Sequence, residues 1–234
     1  PPECREPEYA ERMRASYPIH PEVFERLYVD WAGGIDRFQR TRGVLRLMAD
    51  VIHRLWVQND QEPMIMPGSL PLYDSNVRQQ LVGYLDDNWN QPMDLDIDGD
   101  LCEASNIEKQ NQRYGQVQAC RRLTRTIFLG GVPGKAHAGL DVGRIFLGTT
   151  QPKEGSLVYG DALRTLTGRL SYLYGSDNAY WFEVRPNLNR MAGDRIGRIS
   201  DQAALDDLRS RLRSSRQFQD PGDFVTVHAA PESP

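Results

Sequence analysis

Lysine is nearly absent from this chain. Only Lys109, Lys135 and Lys153 stand among its 28 basic residues, and the remainder are arginine. Cysteine is scarce too: Cys4, Cys102 and Cys120 are odd in number and far apart. No pair of them has metal-ligand spacing, and His20, His53, His137 and His228 complete none, so neither a disulfide framework nor a zinc site is expected. No apolar run approaches the roughly 20 residues that cross a bilayer, and the signature of a signal peptide is missing. These absences fit a reduced, cytoplasmic setting. A large excess of positive charge is lacking as well. The net charge of −4 excludes a wholly basic nucleic-acid coat, though a local basic face is compatible with it. Catalytic signatures are missing: there is no nucleophile elbow and no complete phosphate loop. GGVPGKAHAG comes nearest, but Leu129 stands where that loop needs glycine and Ala136 where it needs a magnesium-holding hydroxyl. It reads as a flexible turn. No catalytic residue and no metal ligand is assigned.

What is present is a length of 234 residues with 39% hydrophobic and 26% charged residues, enough for one large or two small globular domains. The strongest pattern lies between Tyr17 and Trp56. Pro21 suits a first helical position, and Phe24, Leu27, Tyr28 and Trp31 line one side of a helix that Gly33 and Gly34 end. A second helix carries Val44, Leu45, Leu47, Met48, Val51, Ile52, Leu55 and Trp56 at spacings of three and four. Thr41 is its expected N-cap, and Arg42, Arg46 and His53 share a stripe beside the apolar face. Asp50 is placed to pair with Arg46 and Arg54. The two apolar faces predict a helical hairpin. The arginine stripe suits either the wet edge of a core helix or a site for phosphate.

YPIHPE, FQRTRGVLRLMA and YWFEVRPNLNRMAGDR together resemble the "domain of unknown function 499" family, predicted ATP-binding proteins of the AAA+ type. TRGVLRLM also resembles the sensor-2 helix of AAA+ lids, in which an early arginine reaches nucleotide phosphates. By that resemblance Arg42, with Arg46 one turn on, is the nucleotide-sensing residue. ATP and magnesium then belong to a parent protein whose ATPase core lies upstream, and none is expected on this piece itself. The family's association with phage-defence clusters implies duplex DNA and a DNA methyltransferase as partners. The start at Pro1 and the loose end FVTVHAAPESP read as an excised piece of a longer protein.

Further along, Gln58 to Tyr73 is a proline-rich connector. Asp74 or Ser75 caps a helix carrying Val77, Leu81, Tyr84, Leu85 and Trp89. Asp94, Asp96, Asp98 and Gly99 match half of a calcium loop, but Ser105 stands where its bidentate glutamate belongs, so an acidic loop is expected. Glu108 to Leu129 reads as one helix with Arg113, Arg121, Arg122 and Arg125 as its basic side. Leu157 to Tyr174 reads as a helix and AYWFEV as a strand. Asn187 caps a helix carrying Leu188, Met191 and Ile196. Arg185, Arg190, Arg195 and Arg198 gather there, either as phosphate contacts for nucleic acid or as a solvated face. Tyr172, Tyr174, Tyr180 and Trp181 suit core packing more than base stacking. A helix over Ser200 to Phe218 and a strand over Phe224 to His228 close the chain.

The expected fold is mainly α with a small β component: a lid-like helical hairpin followed by a winged-helix-like module. The expected domains are 1–66, 67–107, 108–199 and 200–234. The expected role is a non-catalytic adaptor that couples nucleotide state to DNA or protein. The alternative is a winged-helix DNA-binding or scaffold module that needs no nucleotide.

Overall fold

Trp31 sits at the meeting point of the core. Its ring lies 6.0 Å from that of Phe38 and 5.8 Å from that of Phe128, and Trp89 meets Phe128 edge-on at 5.6 Å. Its indole N–H donates to the carbonyl of Leu129 at 2.8 Å, so the one polar atom of a fully buried side chain is satisfied. Replacing a side chain of this kind by alanine costs roughly 3–5 kcal/mol.

The computed structural model describes residues 1–35, 38, 40–85, 88–131, 139–188, 192–193, 196 and 200–214. Helix α1 is Pro7–Ser16. Helix α2 is one unbroken run: Pro21–Phe24, a wider π-helical stretch Glu25–Trp31, then Ala32–Gly34. Helix α3 is Arg40–Val57 and α4 is Ser75–Val82. Helix α5 joins Asn90–Pro92 to the π-helical Met93–Ile97. Helices α6 (Glu103–Gln110), α7 (Gln112–Gly115) and α8 (Ala119–Gly131) follow. Then come strand β1 (Leu140–Asp141), helices α9 (Val142–Thr149) and α10 (Leu157–Arg169), and strands β2 (Leu173–Ser176) and β3 (Ala179–Phe182). Helix α11 is Asp201–Ser214. The mainly α fold with a small sheet agrees with the sequence reading. By its contacts the chain forms two compact units, Pro1–Asn187 and Leu188–Pro234.

The first unit is built round α8, which is buried on nearly every side. Helices α9, α10 and α6, the sheet and the turn Pro67–Ser69 all pack on it. Its polar residues are satisfied inside: the Thr124 hydroxyl donates to the Ile97 carbonyl at 2.7 Å and that of Thr126 to the Arg122 carbonyl at 2.8 Å. The sheet is antiparallel in the order β1-β3-β2, with Leu140 opposite Tyr180 and Leu173 opposite Phe182. Tyr174 and Trp181 face each other across strands and stack at 6.1 Å.

Helices α2 and α3 form the expected hairpin, and Asp74 caps α4 by accepting the N–H groups of Asn76 and Val77. Several details differ from the sequence reading. In α2 the π-helical turns bring Val23, Leu27 and Trp31 inward, while Phe24 and Tyr28 stack on each other further out. Thr41 lies inside α3 rather than capping it. The helix expected over Glu108 to Leu129 is three helices, broken at Asn111 and at Gln118, whose φ is +48°. Helix α10 ends at Arg169, so Leu173 and Tyr174 belong to β2. Residues 132–138 of the glycine-rich turn, and the strand expected at Phe224 to His228, lie outside the described residues. Among the described residues no helix is long and apolar enough to cross a membrane.

Candidate functional site

Helix α3 has apolar residues on two sides. Val44, Leu47, Met48, Val51 and Leu55 enter the core, whereas Leu45, Ala49, Ile52 and Trp56 form a second stripe that faces outward. Trp56 is 84% exposed and Leu45 63% exposed. That second stripe repeats every three to four residues, the spacing of a face made to be covered. Arg42, Arg46 and His53 are exposed on the same helix, and among the described residues neither arginine forms an ion pair. The pairing expected for Asp50 is absent from the described contacts: Asp50 accepts from the Gln80 amide, and Arg54 lies 3.6 Å from Asp74.

Among the described residues of this unit Arg5, Arg14 and Arg185 likewise form no ion pair, while others are engaged by acids. Arg26 lies between Glu22 (3.6 Å) and Asp30, and Arg144 binds Glu22 (2.8 Å) and Glu3. Burial pushes the Glu22 carboxyl above its usual range against the pull of both arginines, and it pushes that of Asp30 up to about 6. Arg42 and Arg46 differ from Arg26 and Arg144 in forming no ion pair with an acid among the described residues.

The second proposed cluster is only partly in view. Arg185 is exposed, and its backbone carbonyl accepts the Tyr174 hydroxyl at 3.1 Å. Arg190, Arg195 and Arg198 lie outside the described residues. Of the nearby aromatics, Tyr172 is buried, whereas Tyr174, Tyr180 and Trp181 are half-buried in the sheet. Leu188 and Ile196 are exposed.

The acidic stretch 94–99 spreads its carboxylates over separate partners. Asp94 pairs with Arg78 at 2.5 Å. Asp96 accepts the Tyr172 N–H at 2.6 Å, and burial raises its carboxyl to about 6. Asp98 holds Arg125 and accepts the Tyr73 N–H at 2.9 Å. Gly99 is required there, because a Cβ would stand 2.7 Å from the Asp94 carbonyl oxygen. Among the described residues no group of three side chains is arranged for a metal ion. Cys102 and Cys120 are buried free thiols, both pushed up by burial, Cys120 to about 12.

Sequence reading identified the arginines of α8 only as a basic side. They prove to be held by carboxylates from distant segments. Arg121 takes Glu108, Arg122 takes Glu62 and Glu154, and Arg125 takes Asp98. Arginines set within an otherwise apolar helix were the available signal. Their partners, up to 60 residues away, left none.

No curated protein and no solved structure matches the chain. The family description "DUF499 second domain" matches residues 5–144, which contain the α2–α3 hairpin and all of α8. The chain therefore belongs to the DUF499 family.

Proposed function

We propose that this chain is a non-hydrolytic accessory region of an AAA+-type ATPase, in which α3 carries nucleotide-dependent movement to a partner. The observation that carries the reading is the outward face of α3: a second apolar stripe beside two exposed arginines that form no ion pair among the described residues. In this account the stripe packs on the ATPase core of the parent protein and Arg42 reaches the γ-phosphate of its ATP, with Arg46 one turn behind. ATP and magnesium are ligands of that core. The arginine stabilises charge on the phosphate, so the angle of the hairpin differs between ATP and ADP states. The test is the turnover of the full-length parent with Arg42→Ala. A fall of about a hundredfold is expected for loss of a charge-stabilising donor, and unchanged turnover with unchanged nucleotide affinity would remove the reading.

A second reading has its own observation. Helix α8, strand β1, helices α9 and α10 and the β2–β3 hairpin run in the order of a winged helix, with strand order β1-β3-β2. Helix α10 then takes the place of a recognition helix. Its outward side carries Arg164 beside Asp161, and the exposed Leu157. The hairpin tip carries Asp177. So mixed a surface favours a protein partner over duplex DNA, for which each neutralised phosphate needs a cation. A mobility shift with duplex DNA at low salt, abolished by Arg164→Ala, would reverse that preference. A DNA methyltransferase is the protein partner that the family's resemblance implies.

A further inference from the structure

A polar cleft of about 650 Å³ opens between the end of α3, the connector after it and α8, within the range of small-molecule sites, about 300–1,000 Å³. It is separate from the Arg42 face. Four arginines line it: Arg54 from α3 and Arg121, Arg122 and Arg125 from α8.

Two of the four are spent on the fold. Arg125 gives Nε and Nη2 to Asp98, each at 2.8 Å, and Nη1 to the Gly68 carbonyl at 3.3 Å. Arg122 gives Nη1 to Glu154 and to the Tyr159 hydroxyl, and Nη2 to Glu62. The other two have donors in hand. Arg121 engages Glu108 through Nε at 2.7 Å, with neither Nη in a hydrogen bond among the described residues. Arg54 is 3.6 Å from Asp74, too far for a hydrogen bond, and its buried Nε has no partner among the described residues. Arg54 and Arg125 both stand over the Tyr73 ring, at 5.5 and 5.6 Å, and the Tyr73 hydroxyl donates to Gln58.

We infer that this cleft binds a small molecule bearing a phosphate group, held between Arg54 and Arg121. The planar fork of a guanidinium matches phosphate oxygens in pairs, and here guanidinium groups from two different helices line one concave space. The spent pair makes the site rigid: Arg122 and Arg125 are fixed by acids, so the helix that carries Arg121 is already in place. Asp60, Glu62 and Asp100 also line the cleft. Of these, Glu62 is already paired with Arg122.

The test is isothermal calorimetry on the chain with inorganic phosphate, and separately with ADP, for the native protein and for Arg54→Gln and Arg121→Gln. Saturable one-to-one uptake of phosphate in the millimolar range or tighter is expected, weakened at least about tenfold by either substitution. The conservative Arg121→Lys keeps the charge and loses the fork, and an intermediate affinity is expected for it. Tighter binding of ADP than of phosphate would mark the ligand as a nucleotide, and equal binding would mark the phosphate group alone as what is recognised. Thermal melts of each variant separate loss of fold from loss of binding. Absence of saturable heat with both probes, or binding unchanged in folded Arg54→Gln and Arg121→Gln, would overturn the inference.

Discussion

Asp98 grips Arg125 with two hydrogen bonds of 2.8 Å while both side chains are almost wholly buried. The same carboxylate accepts the Tyr73 N–H, so one acid ties the acidic turn after α5 to the central helix and to the connector. Breaking a buried pair by removing one partner leaves a desolvated charge and costs about 3–5 kcal/mol. Asp98→Ala and Arg125→Ala are each expected to lower stability by that amount in urea unfolding, and the double change by less than the sum of the two.

The close approach of the Pro67–Ser69 turn to α8 makes a sharper demand. A Cβ on Gly68 would stand 2.9 Å from both the Cβ and the carbonyl oxygen of Arg122. The obstruction is backbone and cannot swing aside. Gly68→Ala is expected to cost about 1–3 kcal/mol, read as a lower midpoint in chemical denaturation.

Stability against pH has two opposed parts. Burial lowers the His20 imidazole to about 4, and its neutral Nδ1 accepts the Glu22 N–H that starts α2. The unfolded chain therefore binds more protons between pH 4 and 6.5, and this group makes stability rise with pH across that window. Asp96 and Asp30, both raised to about 6, do the reverse. The folded chain binds more protons between about 4 and 6, so they make stability fall as pH rises. His20→Asn should expose the falling part, and Asp96→Asn should steepen the rising part, each by an amount on the order of 2 kcal/mol across the window. Urea midpoints at half-unit pH steps distinguish the two.

The outward stripe of α3 makes little contact within the chain. Ile52→Ser and Trp56→Ser are therefore expected to change folding stability by no more than about 0.5 kcal/mol. Self-association at high concentration should fall in both, because an exposed apolar patch is removed. Sedimentation velocity reads that change.

How much of this was legible in the sequence depends on which spacing a residue obeyed. The hairpin was, because α3 repeats its core residues every three or four positions. The second stripe on α3 was not: Leu45 and Ile52 have the same spacing as their buried neighbours, and one list of apolar residues hid two faces. Strand β2 was missed because Leu170 and Leu173 continue the period of Leu163 and Leu166, so a helical rhythm ran past the true end at Arg169. The breaks before α8 depend on Asn111 and on a left-handed Gln118, neither of which interrupts the apolar pattern. In the candidate site, Arg42 and Arg46 could be named in advance by resemblance to a sensor-2 helix, and only their exposure follows from the face they occupy. The arginine cleft could not, since Arg54 and Arg121 come to line one space only once the chain has folded.

Most directly, the account rests on Arg42 contacting a γ-phosphate. The decisive measurement is the equilibrium affinity of the full-length parent for ATP and for ADP, with and without Arg42→Ala. The account predicts that ATP binding weakens at least about tenfold while ADP binding changes much less. Equal affinities in the two proteins for both nucleotides would contradict it.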